Sequence, residues 1–122
     1  MDFNFEMDRP IYIQLVEQLK SYIILGKLES GSRIPSVREF ALQAKVNPNT
    51  MQKALMELED DGLIYTERTN GKFVTENREL IEKVKKDLAN QITSKYIESM
   101  KNLGISKQEI TKYIEEKKGE QE

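Results

Sequence analysis

The chain contains no cysteine, no histidine and no tryptophan, and only 3 prolines in 122 residues. Without cysteine there is no disulfide framework, no thiolate nucleophile and no thiolate metal site, a usage that fits a cytoplasmic setting. Without histidine the commonest general base and the commonest zinc ligand are missing, so any catalysis or metal binding would fall to carboxylates, lysine and tyrosine. A phosphate-cradling glycine loop is absent as well. The densest acidic run, Glu57, Glu59, Asp60 and Asp61, lies against Gly62, where a helix would end, and reads as a solvated acidic helix terminus rather than as a catalytic carboxylate pair. Long hydrophobic runs are lacking too. No stretch approaches the length needed to cross a bilayer, and no cationic leader precedes an apolar segment. The expectation is a cytoplasmic protein with no membrane span, no enzymatic activity, no cofactor and no metal.

Charged residues make up 33% of the chain and hydrophobic residues 38%, and 122 residues can bury one modest core, as one domain or one domain with an appendage. The net charge of -2 argues at first against nucleic acid, because a DNA-binding domain usually carries a basic footprint. The distribution reverses that argument. Between residues 27 and 56 stand Lys27, Arg33, Arg38, Lys45 and Lys53 against only Glu29 and Glu39, while the acids gather at residues 57–61. A domain polarised in this way presents its positive side to phosphate.

Residues 36–62 organise the rest. Ser36 followed by Glu39 is a capping-box pattern, in which the hydroxyl takes one orphan helix N–H and the carboxylate reaches back to the cap's own N–H. A helix from about Val37 would turn Val37, Phe40 and Ala41 inward, and Ala44-Lys45-Val46 leaves room only for a sharp reversal. In Asn47-Pro48-Asn49-Thr50 the first Asn can cap a second helix with Pro48 at its first position. Met51, Ala54, Leu55 and Leu58 recur on its apolar side, and Asn47, Asn49, Gln52 and Lys53 begin the other. Two short helices about a tight turn, with amides and a cation at the exposed start of the second, form a helix-turn-helix. Asn and Gln suit bidentate reading of adenine, and Lys53 suits phosphate or guanine. Asn47 and Asn49 also have a plainer explanation as caps.

The elements around this core follow from their own patterns. Tyr12, Leu15, Val16, Leu19, Tyr22 and Ile23 mark a first helix over residues 10–25, its aromatics read as packing, with Phe3 and Phe5 in a lead-in packed on a neighbouring surface. Gly31 lies in a loop with one short strand at Arg33-Ile34. Arg33 and Arg38 flank the next helix N-terminus, where N–H groups and dipole favour an anion; their alternative is to pair with Glu29 and Glu39. Leu63-Ile64-Tyr65-Thr66 and Lys72-Phe73-Val74-Thr75 read as a hairpin, or wing, with Arg68, Asn70, Gly71 and Lys72 around its tip as backbone or minor-groove contacts. Ile81, Val84, Leu88, Ile92, Tyr96, Met100 and Leu103 then recur three or four apart on one long helix. Such a seam reads as a dimer surface, with packing back onto the first helix as the alternative. Ser106 with Glu109 opens a short amphipathic helix carrying Ile110, Tyr113 and Ile114, before a charged end, residues 115–122, that is expected to fray.

The segment from Arg33 to Ala41, followed by Val46, Asn49-Thr50-Met51, Ala54, Leu58-Glu59, Gly62-Leu63-Ile64 and Gly71-Lys72-Phe73-Val74, resembles the winged helix-turn-helix domain of GntR-type bacterial transcription regulators. Pro10-Ile11-Tyr12 and Gln14 extend the match to roughly three fifths of the chain. The short tail resembles the YtrA-like branch. The resemblance implies a mainly α, α+β fold: a winged helix-turn-helix DNA-binding domain over residues 1–75 and a two-helix dimerisation region over 76–122. It implies a homodimeric repressor on double-stranded DNA, contacted by Arg33, Ser36, Arg38, Asn47, Asn49, Thr50, Gln52, Lys53, Arg68, Asn70, Gly71 and Lys72. Two recognition helices related by a two-fold would meet an inverted-repeat operator. Pro48 and Gln52 stand where certain relatives carry Arg, so no operator sequence transfers. The tail is too short for the separate ligand-binding domain of many relatives; a signal, such as an unidentified small-molecule effector, would act on the helical surface or a small pocket beside it. A winged-helix module that binds protein and no DNA is the other reading, and it accounts better for the acidic sum.

Overall fold

Pro10, with φ of -57° and no N–H to leave unpaired, starts the first helix. The computed structural model describes residues 1–117, and in it α1 spans Ile11–Ile24. Its stripe of Leu15, Val16, Leu19 and Ile23 is buried, with Tyr12 and Tyr22 half-buried at the border. The lead-in is held by two glutamines on this helix. The Gln14 side chain, 1% exposed, accepts the Glu6 N–H at 2.7 Å and donates to the carbonyls of Glu6 and Arg9 at 2.8 Å. Gln18 likewise accepts the Asn4 N–H and donates to its carbonyl. Phe3 then packs edge-on against Tyr22 and Phe40, which explains the alternating aromatics. A buried amide with its polar atoms used is tolerated where an unpaired one would be costly.

Helix α2 spans Val37–Ala44 and α3 spans Pro48–Asp60. Ser36 caps α2 by accepting the Glu39 N–H at 3.2 Å. The Glu39 carboxylate accepts the Ser36 hydroxyl at 3.0 Å, so the reciprocal bond to the Ser36 backbone, expected from the pattern, is replaced by a side-chain one. The reversal is made by Lys45 in the left-handed conformation, φ 57° and ψ 46°. Asn47 caps α3, its Oδ1 accepting the Asn49 N–H at 2.7 Å. Phe40, Ala41 and Ala44 of α2 and Met51, Ala54, Leu55 and Leu58 of α3 are buried; Val37 is half-buried. α3 packs on α1, on α2 and, beyond its acidic end, on the hairpin.

The hairpin consists of β1, Ile64–Glu67, and β2, Gly71–Val74, antiparallel in the register Ile64↔Val74 to Glu67↔Gly71. Leu63 and Thr75 lie just outside the strands but are joined by the Thr75 N–H and Leu63 carbonyl at 2.9 Å. The strand expected at Arg33-Ile34 is a short bridge to β2. Arg33 opposes Phe73, with Ile34 N–H to Lys72 O and Val74 N–H to Ser32 O both 2.9 Å. The second edge of β2 is thereby paired rather than left open. Leu63, Ile64 and Val74 complete the core.

Helix α4 spans Arg78–Asn102 and α5 spans Lys107–Glu116. Asn77 caps α4 through the Leu80 N–H at 3.1 Å. The chain divides into two compact units, Met1–Lys83 and Val84–Glu122. The first turns of α4 belong to the first unit: Leu80 approaches Gly62, and Ile81 lines a pocket with Ile23 and Ile24. In the second unit Ser106 and Glu109 close a full capping box, and Ile110 is buried. Glu115 and Glu116 end α5 and Lys117 follows as its C-cap; the rest of the charged end, residues 118–122, lies outside the described residues. Among the described residues no helix is long and apolar enough to cross a membrane.

Candidate nucleic-acid interface

The free N–H groups and dipole of a helix start attract an anion, and two helix starts stand at residues 36–38 and 47–49, although at the second Pro48 has no N–H and that of Asn49 is taken by Asn47. Beside the first, Arg33, Ile34, Pro35, Ser36 and Glu39 line a cavity of about 310 Å³. An adjoining cleft of about 300 Å³ lies between this helix start and the wing and is lined by Arg33, Ser36, Val37, Arg68 and Gly71 among others. The Arg33 side chain closes on the wing there. A β-carbon built at Gly71 would lie 3.0 Å from its Nε, so the absence of a side chain at Gly71 leaves Arg33 its place.

Charge pairing sorts the cations. Arg33, Arg38, Lys45 and Arg68 are exposed and have no carboxylate partner among the described residues. The alternative pairing of the two arginines with Glu29 and Glu39 is not made. By contrast Arg9 is paired with Glu6 and Glu17, Lys20 with Asp61 at 3.2 Å, and Lys72 with Glu59 at 2.9 Å. Three of the carboxylates at the far end of α3 are thus engaged: Asp61 by Lys20, Glu57 by the Tyr12 hydroxyl it accepts, and Glu59 by Lys72 and, at 2.8 Å, Thr66. The Lys72 bond, helped by that from Thr66, holds the Glu59 carboxyl below its ordinary range. No three acidic side chains among the described residues form a metal-holding group.

At the start of α3, Asn49, Gln52 and Lys53 are exposed and Thr50 is half-buried. Asn47 has one side-chain oxygen committed to its cap. Lys53 does not project freely; its ammonium lies 4.6 Å over the Tyr12 ring. On the wing, Arg68 is exposed at the tip, while Asn70 donates to Glu67 at 3.1 Å. Lys72 turns from the tip to Glu59 and Thr66, bracing the hairpin against α3. The structure therefore gathers Arg33, Ser36, Arg38, Arg68 and Gly71 about one cleft or helix start and Asn49, Gln52 and Lys53 at another. Lys72 lines the first cleft as well, but its ammonium is bonded to Glu59 and Thr66. Sequence reasoning missed the Tyr12 and Glu57 partnership with Lys53, although the spacing of Lys53 and Glu57 on one helix was a signal that the cation had a nearby competitor.

A tight helix pair, an amide-bearing second helix start, cations around the first that have no carboxylate partner among the described residues, and a hairpin beside them define a winged helix-turn-helix DNA-binding protein. Comparison with known proteins narrows this. Residues 11–74 match the model of the bacterial regulatory proteins of the gntR family. The chain is 37% identical to the HTH-type transcriptional regulator YhcF of Bacillus subtilis, over 93% of this chain and 94% of that one. It is 44% identical to the HTH-type transcriptional repressor YtrA of the same organism, over 56% of this chain and 52% of that one. A GntR family transcriptional regulator from Listeria monocytogenes superimposes with a TM-score of 0.86 at 40% identity, covering 92% of this chain and 98% of that one. The DNA-binding domain of AraR in complex with operator ORX1 superimposes with a TM-score of 0.54 at 29% identity, over 62% of this chain and 95% of that one. The chain belongs to the GntR family and is a DNA-binding transcriptional regulator.

Proposed function

We propose that the protein is a homodimeric repressor that places two copies of α3 in successive major grooves of an inverted-repeat operator. The observation that carries the DNA side of this reading is that Arg33, Arg38, Lys45 and Arg68, around the helix-turn-helix and wing, have no carboxylate partner among the described residues, on a chain whose net charge is negative. Arg33, Arg38 and Arg68 hold the phosphate backbone, and Asn49 and Gln52 read base edges. Repression is supported by the likeness to the repressor YtrA.

The dimer reading is supported by the second unit. α4 is 25 residues long and buries none of them in the single chain, and Ile92, Tyr96, Leu103, Tyr113 and Ile114 are exposed. Val84, Leu88 and Met100 are half-buried. A pair of helices with so much apolar surface uncovered is stabilised by a second copy. Ile81 stands apart from this seam, since it lines the pocket with Ile23 and Ile24.

Selection of bound sequences from a random duplex pool tests the whole reading. The expected product is an inverted repeat whose half-sites are separated by about one helical turn, roughly 10 base pairs, or a multiple of it. Each half-site should contain an adenine whose preference disappears in Gln52→Ala or Asn49→Ala. Enrichment of a single unrepeated site would overturn the two-fold arrangement.

A further inference from the structure

Lys53 has one carboxylate within a helical turn on its own helix, the half-buried Glu57 four residues on, and such a pair would ordinarily attract. No Lys53–Glu57 ion pair forms. Tyr12 of α1 stands between them in chemical terms: its hydroxyl donates to Glu57, and its ring face receives the Lys53 ammonium at 4.6 Å. A ring attracts a cation through its quadrupole without cancelling the charge, whereas a carboxylate cancels it.

We propose that Tyr12 is a positioning residue for DNA binding, which occupies Glu57 and carries Lys53 on its ring so that the cation keeps its full charge for phosphate. This rests on the reading of Lys53 as a DNA contact. The bond to Glu57, with burial adding to it, raises the Tyr12 phenol above its ordinary value, and the hydroxyl therefore remains a donor wherever DNA binding is measured. Removal of that hydroxyl frees Glu57, and Lys53 then swings from the ring to the carboxylate.

The experiment compares Tyr12→Phe, Tyr12→Phe/Glu57→Gln and Lys53→Ala with the unaltered full chain on random-sequence duplex DNA over a salt series, with thermal melts alongside. Tyr12→Phe should bind about tenfold more weakly with a salt slope lower by about one unit, as for one lost phosphate contact. The double variant should recover the original affinity and slope, although it lacks the same hydroxyl. A merely structural role for Tyr12 leaves the double variant as weak as the single one, and that result overturns the proposal. In the free protein, the Lys53 ε-methylene protons should be shifted upfield by the ring and lose that shift in Tyr12→Phe; an unchanged shift also overturns it. If Lys53→Ala binds as tightly as the unaltered chain, Lys53 is no DNA contact and the underlying reading fails. If Lys53→Ala is weak but Tyr12→Phe is not, only the role of Tyr12 fails.

Discussion

Replacing Gly71 by alanine tests the link between the wing and Arg33, the arginine proposed to hold phosphate. Gly71 has φ of 103°, and the added methyl would lie 3.0 Å from Arg33 Nε and 3.4 Å from Nη2. The backbone strain of a side chain at such a φ costs roughly 1–3 kcal/mol. The close contact is with the far end of a flexible side chain, so Arg33 gives way and the hairpin does not. Gly26→Ala is the matched control: φ there is 77°, and nothing lies within 4 Å of the added methyl. Both variants should therefore lose comparable stability in urea unfolding, with an unchanged dependence on denaturant. Only Gly71→Ala should also lose DNA affinity. A charge-assisted hydrogen bond contributes roughly 1.5–3 kcal/mol, and partial displacement of Arg33 should forfeit about 1 kcal/mol of it, roughly fivefold in Kd. Fluorescence anisotropy at one fixed salt concentration, on folded protein, reads this directly. Equal affinity in the two glycine variants would refute the reasoning, because then Arg33 is not held in its DNA-binding place by the bare wing backbone.

Arg38→Ala should weaken binding to specific and random duplexes alike and lower the salt slope by about one unit, leaving discrimination intact; lost discrimination at an unchanged slope would make Arg38 a base reader. Val84→Asp with Leu88→Asp should yield monomers in sedimentation, since charges buried in an interface without partners cost several kcal/mol; a stable dimer would place the interface elsewhere. Glu59→Gln tests the brace between wing and α3. The Glu59 carboxyl is held below its ordinary value of 4.5 by Lys72 and Thr66, so its contribution is present above that pH and lost as pH falls through the lowered value. The variant should be less stable than the unaltered chain at pH 7 by under about 1 kcal/mol, given the partial exposure of the pair. That difference should vanish in strong acid, and a difference that persists there would assign it to packing instead of charge.

What the residues determined by themselves are the features that act within a turn or two of chain. Ser36, Asn47 and Ser106 cap because an oxygen one residue ahead of a helix reaches N–H groups two or three residues on. The buried stripes of α1, α2 and α3 follow from helical spacing, and the hairpin from β-branched and aromatic runs about a glycine. These local signals sufficed for the helix-turn-helix, for the wing and for most of the cations that line them. Tertiary structure alone decided which charges are spent. Nothing near Lys72 in the chain distinguishes it from Arg68, yet Lys72 is consumed by Glu59, 13 residues away, while Arg68 remains unpaired among the described residues. Nor does the helical stripe that contains Tyr12 disclose that its hydroxyl meets Glu57, 45 residues on, or that Gln14 and Gln18 clamp the lead-in. Such pairings depend on how α1 and the hairpin pack against α3. Packing is set by the summed burial of many apolar side chains, a quantity to which no single polar residue's neighbours in sequence are a guide.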